Sequence, residues 1–424
     1  MNVFLQAQPV FSDDKIVFGI LMFCLAIVFY TSNIKKGWWP KFYKYVPALL
    51  MCYLLPAILN STGIISAKET DTYVMAKNYL LPVSLILLTL SIDLKAISQL
   101  GFKSLIMFFT ATIGIIIGGP VALLLMAKLW PATVDGVGVD AVWRGLSTLA
   151  GSWIGGGANQ AAMLEVYQYN PDKYGGMVLI DIVVANIWMA VLLLGIGQNA
   201  KIDKWLKADS SAIEKLKEKV SSFSESIKKE PKLKDYIIIL GVGFFLTSLA
   251  HFFSTHLVSL FESVDSLKDS SLTSGFFWVI VLATTFGLVL SFTKAKNLEG
   301  YGASKIGSVF IYILVATIGV KMDITKVAEN PGLIVLGLVW MAFHVLLLLI
   351  VAKIIRAPFF FLAVGSKANI GGAASAPVIA AAFHPALAPV GVLLAVLGYA
   401  IGTYGAVFCA ILMELASKYQ GIIP

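Results

Sequence analysis

Two stretches of this sequence combine glycine with side-chain amides and hydroxyls. The first is Gly151-Ser-Trp-Ile-Gly-Gly-Gly-Ala-Asn-Gln160. Its adjacent Gly155, Gly156 and Gly157 each cost a helix about 1 kcal/mol against alanine, which predicts a break. Broken helices end in free N–H and C=O groups, and such ends hold anions and cations. Ser152, Asn159 and Gln160 add side-chain donors and acceptors at the same place. The second stretch carries Ser366, Asn369, Gly371, Gly372 and Ser375, with Pro377 starting the next helical arm. The chemistry open to these residues is reversible binding of a solute and an ion. Small-residue helix packing is the competing reading. Two such stretches, each with amide residues beside it, favour a binding site.

Asp181 is the second candidate. It lies early in the apolar run that follows Lys173. A carboxylate at membrane depth is costly and marks function by default, here a Na⁺ or H⁺ site. The alternative is an interfacial carboxylate paired with Lys173. Asn186 follows five residues later, roughly 140° further round a regular helix, so it completes a cation site only if that helix is distorted or wrapped by the site. The equivalent run of the second half has Tyr399, Thr403 and Tyr404 in place of a carboxylate. The expected substrate-binding residues are therefore Ser152, Gly155, Gly156, Gly157, Asn159, Gln160, Ser366, Asn369, Gly371, Gly372, Ser375 and Thr403, with Asp181 and Asn186 for the cation. Lys367 can attract a carboxylate or anchor a helix end. His344 reads as a proton relay or a packing residue. Asp93 and Asp323, beside Lys95 and Lys321, read as helix-end caps or salt-bridge partners. The sequence has no GxSxG, HExxH, P-loop or CxxC motif. The expectation is that the chain is no enzyme, carries no cofactor or metal other than a bound Na⁺, and draws its energy from an ion gradient.

The elements that must position these residues are membrane helices. Of 424 residues 58% are hydrophobic and 13% charged, with a mean hydropathy of +0.85. Soluble domains carry about 25% charge. Apolar runs lie near 15–31, 46–60, 79–92, 104–127, 174–198, 235–253, 274–292, 303–320, 332–355 and 388–416. Most suit a span of about 20 residues across a ~30 Å hydrocarbon core. The fold class is all-α, polytopic, with about 10–12 transmembrane segments. The roughly ten-residue alternation of a membrane β-barrel is absent. The net charge of +8 lies in loops, as membrane orientation requires, which argues against nucleic-acid binding. Cys24, Cys52 and Cys409 sit inside apolar runs as small core residues. No basic region precedes an apolar stretch at the N-terminus, so no cleaved signal peptide is expected.

The chain also repeats. Leu-Ser-Ile-Asp-Leu at 90–94 returns as Val-Lys-Met-Asp-Ile at 320–324, and Ile154-Gly-Gly-Gly-Ala158 returns as Ile370-Gly-Gly-Ala-Ala374. Duplicated halves mark many secondary transporters. The halves are 1–198 (panel helices 15–98, core helices 104–198) and 235–424 (panel 235–327, core 332–416). Between them, 199–234 carries ten Lys and six Asp/Glu and reads as an amphipathic connector. If the Gly-rich stretches cross the membrane, each half has six spans and the halves are parallel. If they re-enter, each has five and the halves are inverted. Lys35, Lys36, Lys41 and Lys44 prefer the cytoplasm and tip the balance to inverted repeats.

Trp153-Ile-Gly-Gly-Gly-Ala-Asn159, Leu80-Leu-Pro-Val-Ser-Leu85, Asp181-Ile-Val-Val-Ala-Asn-Ile-Trp188 and Gly398-Tyr-Ala-Ile-Gly-Thr-Tyr404 resemble the YjcL-like membrane proteins of unknown function. The likeness covers nearly the whole chain apart from the connector. That family is grouped with the cation/proton antiporter and bile-acid/sodium symporter superfamily. The resemblance implies a panel and a core built around two broken helices or hairpins, moving as an elevator. The Gly-rich tips are similar to those of sodium–citrate symporters. Antiporters of the group usually carry paired acidic or Asn-Asp residues at the crossing, where this chain has Asn159 and Gln160. The expected function is ion-coupled transport of a small anionic organic solute across the cell inner membrane. A cation/proton antiporter is the alternative, and a non-transporting scaffold or sensor the alternative of another class. The expected partners are the lipid bilayer, the solute, a coupling cation and, in a homodimer, a second copy.

Overall fold

The structure, a computed structural model, describes residues 9–46, 48–66, 71–92, 97–98, 100–208, 213, 230–264, 271–321, 330–384 and 387–423. Asp93, Asp323 and most of the charged connector lie outside the described residues. Those described form helices and no strand, apart from an isolated bridge between Phe11 and Ile65. The helices are α1 (Asp14–Ser32), α2 (Trp39–Tyr45), α3 (Ala48–Ser61), α4 (Asp71–Leu90), α5 (Phe102–Leu129), α6 (Val142–Tyr167), α7 (Pro171–Ile196) and α8 (Asn199–Leu206). After the connector come α9 (Leu233–Glu262), α10 (Gly275–Ser291), α11 (Ala303–Lys321), α12 (Gly332–Ile355), α13 (Phe359–Asn369), α14 (Gly372–Phe383) and α15 (Ala388–Tyr419).

Among the described residues eight helices are long and apolar enough to cross a membrane: α1, α4, α5, α7, α9, α11, α12 and α15. This is fewer than the ten to twelve expected from hydropathy. The reason is that α3 and α10 are apolar but shorter, at 14 and 17 residues. The Gly-rich stretches form no simple span at all.

Those stretches fold back on themselves. In α6 the helical course is interrupted at Gly156, with φ 74° and ψ −173°, a left-handed backbone that only glycine adopts without strain. The arms on either side then run antiparallel. A Cβ on Gly151 would stand 2.5 Å from the Asn159 carbonyl oxygen, whereas eight residues along a straight helix span about 12 Å. At the open end Trp143 packs on Tyr167, with ring centroids 5.5 Å apart, and Arg144 Nη1 donates to the Tyr167 carbonyl at 2.6 Å. The second stretch matches it. Arms α13 and α14 meet at Ile370 and Gly371 (φ 96°), and Phe383 at the far end packs against Phe359 and Phe360 at 5.8 and 5.3 Å. Both are helical hairpins.

All of α6 is buried except Arg144, Gly156 and Gly157, and α13 is buried throughout. Backbone breaks at membrane depth are tolerated where protein surrounds them. The helices around them fall into two groups by packing. In one, α3, α4, α9, α10 and α11 pack on one another with α1 at the side. In the other, α5, α7, α12 and α15 enclose the two hairpins, and α6 against α15 is the most extensive contact.

Candidate functional site

The two hairpin tips meet on α15. A Cβ on Gly398 would stand 2.9 Å from the Ile154 carbonyl oxygen of the first tip and 3.3 Å from the Ala368 carbonyl oxygen of the second. One turn along, Gly155 and Gly402 touch backbone to backbone, so a Cβ on Gly155 would lie 2.6 Å from the Gly402 Cα. Glycine at 398 and 402 is thus a packing requirement of the tips. Tyr399 faces Gly156, and Leu49 of α3 faces Gly157.

Each tip is closed by an asparagine. Asn159 Nδ2 donates to the Gly155 carbonyl at 2.9 Å, and its Oδ1 accepts from Thr403 Oγ1 at 2.6 Å. Asn369 Nδ2 donates to the Gly365 and Phe108 carbonyls at 3.0 and 3.2 Å, and its Oδ1 accepts from Thr112 Oγ1 at 2.8 Å. Both amides are fully buried. Each amide thus bonds the carbonyl four residues back at its tip and is held in place by a threonine from a neighbouring helix.

Asp181, on α7, is buried at the base of the first tip. Ser152 Oγ donates to its Oδ2 at 2.7 Å and Trp153 Nε1 to its Oδ1 at 2.8 Å. The partner foreseen for an interfacial carboxylate is engaged elsewhere, since Lys173 pairs with Asp140 at 3.1 Å. The Gln160 amide reaches toward the Asp181 carboxylate, and Lys367 lies within electrostatic reach of it. Lys367, only 3% exposed, donates to the Ala185 carbonyl at 3.3 Å and makes no direct ion pair among the described residues. Gln160 Nε2 is buried and completes no hydrogen bond of full geometry among the described residues.

Ser366 joins the second hairpin to α7 and α12. Its hydroxyl accepts from Trp188 Nε1 at 2.8 Å and lies 2.8 Å from His344 Nε2. His344 Nδ1 is 3.1 Å from the Ala111 carbonyl, which can only accept. Nδ1 therefore carries a hydrogen, and Nε2 of the neutral ring accepts from Ser366. That is the packing role for His344.

Asp181, Ser152, Gln160 and Lys367 are thus assembled into one buried cluster, beside the tips that carry Gly155, Gly156, Gly157, Asn159, Asn369, Gly371 and Gly372, with Thr403 of α15 bonded to Asn159. Ser375 stands behind Gly371, its hydroxyl 3.4 Å from the Ile370 carbonyl. Asn186 is not brought in. It is exposed, because the helix stays regular and carries it round to the outer face, which corrects its pairing with Asp181. Missing from the sequence reading were Trp153, Thr112 and Trp188 as partners, and the pair Glu165–Lys77. Glu165, buried near the end of the first hairpin, accepts from Tyr73 and pairs with Lys77 at 2.8 Å, both on α4. A cleft of about 410 Å³ opens where the starts of α6, α7 and α12 meet, lined by Asp135, Asp140, Lys173, Ile180 and Asn330 among others, and none of Ser152, Gln160, Asp181 or Lys367 lines it.

A family model described as "Protein of unknown function (DUF819)" matches residues 19–415. The chain is also 26% identical over 363 residues to the "Uncharacterized membrane protein YjcL" of Bacillus subtilis (strain 168), a match spanning 83% of this chain and 86% of that relative. A multi-pass membrane protein is the common denominator of these relatives and of the apolar helices above.

Proposed function

The chain belongs to the DUF819 family of proteins of unknown function, and from that premise we propose that it is an ion-coupled secondary transporter of the inner membrane for a small organic anion. The observation that carries this reading is two hairpin tips meeting around a buried carboxylate and a buried ammonium, Asp181 and Lys367. Burying such charges is costly, and a protein that only held its place in the bilayer would gain nothing from them. A transporter uses them, one to take up a cation and one to take up an anion.

The hairpins support inverted halves. With each hairpin re-entrant, the remaining helices number five per half: α1, α3, α4, α5 and α7, then α9, α10, α11, α12 and α15. An odd number of spans reverses the second half against the first. The packing supports a moving core and a standing panel, the core being the group that holds both tips. Alternating access then follows from sliding one group along the other.

Purified protein reconstituted into vesicles should accumulate a solute from a mixed metabolite pool when a Na⁺ or H⁺ gradient is imposed. In detergent, Na⁺ at 100 times its Kd should add about 2.7 kcal/mol to stability, and Asp181→Asn should remove that gain. No gradient-driven solute movement in vesicles would end the transport reading. A Na⁺ response that survives in Asp181→Asn would end the coupling role of that carboxylate.

A further inference from the structure

The cluster between the tips has donors left over. Asp181 accepts from Ser152 and Trp153, one bond to each oxygen. Lys367 has three N–H donors and uses one of them, weakly, on the Ala185 carbonyl. Gln160 Nε2 is buried and reaches toward the Asp181 carboxylate without completing a hydrogen bond of full geometry. Buried donors are matched by acceptors in folded proteins, so this surplus describes what is missing. The missing group is an acceptor with more than one lone-pair site, and the unpaired ammonium calls for a negative one.

The place is also open. Gly371 is exposed, although Lys367 beside it is buried. Gly371 has a φ of 96°, and a Cβ there would clash with the Ser375 hydroxyl and come 3.5 Å from Lys367 Nζ, so this exposed turn lies directly beside the ammonium. The first turn of α14, a helix of 12 residues, starts at the same point and adds its positive end.

We propose that Lys367 Nζ and Gln160 Nε2, with the N-terminal end of α14, bind the carboxylate group of a small organic acid. This rests on the transport reading and names its substrate class. The two oxygens of a carboxylate supply the acceptors that the ammonium and the amide lack, as a charge-assisted contact. Asp181 stays in its bonds to Ser152 and Trp153 and does not compete for the Lys367 hydrogens. An arriving carboxylate nonetheless places a second negative charge near Asp181, and a cation taken up at Asp181 offsets it. Solute and cation then bind together because each removes the other's electrostatic cost.

The test compares acetate, lactate, succinate and citrate with their amides, at matched ionic strength, by thermal unfolding of the full-length protein in detergent. At least one acid should raise the unfolding temperature where its amide does not. Lys367→Gln should weaken that acid roughly tenfold to a hundredfold, the value of a charge-assisted hydrogen bond. Gln160→Glu adds a tethered carboxylate to the cluster of Asp181 and Lys367 and should abolish the response, and it decides the matter if Lys367→Gln does not fold. No acid-specific shift in the wild type, or a shift that persists in the folded variants, overturns the proposal. Acid binding that depends on Lys367, without flux in vesicles, would sink transport and leave this site standing. Flux of another solute that both variants retain would do the reverse.

Discussion

At the scale of single residues, the side chains near the tips divide by whether their hydrogen bonds are complete. Asn159 and Asn369 are complete, each tied to a carbonyl four residues back and to a threonine. Asn159→Ala should strand the Gly155 carbonyl, leave the Thr403 hydroxyl only its contact with Thr284, and cost about 1–3 kcal/mol, read as a lowered midpoint of thermal unfolding. Gly402→Ala should cost a similar amount, about 1–3 kcal/mol, because its Cβ would come within 2.5 Å of the Gly155 Cα. The glycines and Asp181 were legible in the sequence because residue type alone makes them conspicuous at membrane depth. Their partners were not. Trp153 is 28 residues from Asp181 and Thr112 is 257 residues from Asn369, and no local pattern reports a contact across such separations. Asn186 shows the converse: the regular helix keeps the roughly 140° that periodicity puts between it and Asp181, and it stays on the exposed face.

At the scale of elements, three adjacent glycines announced a break, but they did not say whether the chain bends or turns back. The reversal is written in the ends of the arms, where Trp143 meets Tyr167 and Phe359 meets Phe383. Aromatic pairs of this kind are invisible to hydropathy. The start of the second hairpin is held from outside as well. Asp203, on α8 at the head of the charged connector, accepts from the Phe359 backbone N–H at 2.7 Å. The connector, read from sequence as a plain linker, thus begins with a cap for α13. Asp203→Ala should cost about 0.5–2 kcal/mol, the value of a lost N-terminal cap. Faster hydrogen exchange at the start of α13, with α6 unchanged, would check that the effect is local. Equal acceleration in both hairpins would refute it.

At the scale of the whole molecule, a small set of polar contacts joins the two helix groups. Tyr53 reaches Tyr174, Thr284 reaches Thr403 and Thr285 reaches Tyr404, at 3.4, 2.9 and 2.8 Å. The ionic one is Lys77 with Glu165, where α4 makes a π-helical turn over Ala76–Leu80. Such turns recur at functional places. Glu165→Gln should cost about 1–3 kcal/mol, less than a fully buried pair because Lys77 keeps some contact with water. A double-mutant cycle with Lys77→Met should return a coupling energy of at least about 0.5 kcal/mol, and additivity would show that the pair does not act as one. The two packing groups each mix helices of both sequence halves, so the repeat alone did not announce them; the contacts joining them were equally illegible, because they link distant residues. The position of α15 carries a consequence for biosynthesis. Both tips rest on Gly398 and its neighbours, in a helix that is synthesised after both hairpins. Until α15 arrives, Asn159 lacks Thr403 and the two tips lack their common floor. The hairpins therefore wait, unfinished, for a helix made after them, and a product truncated before Ala388 lacks the surface on which both tips pack.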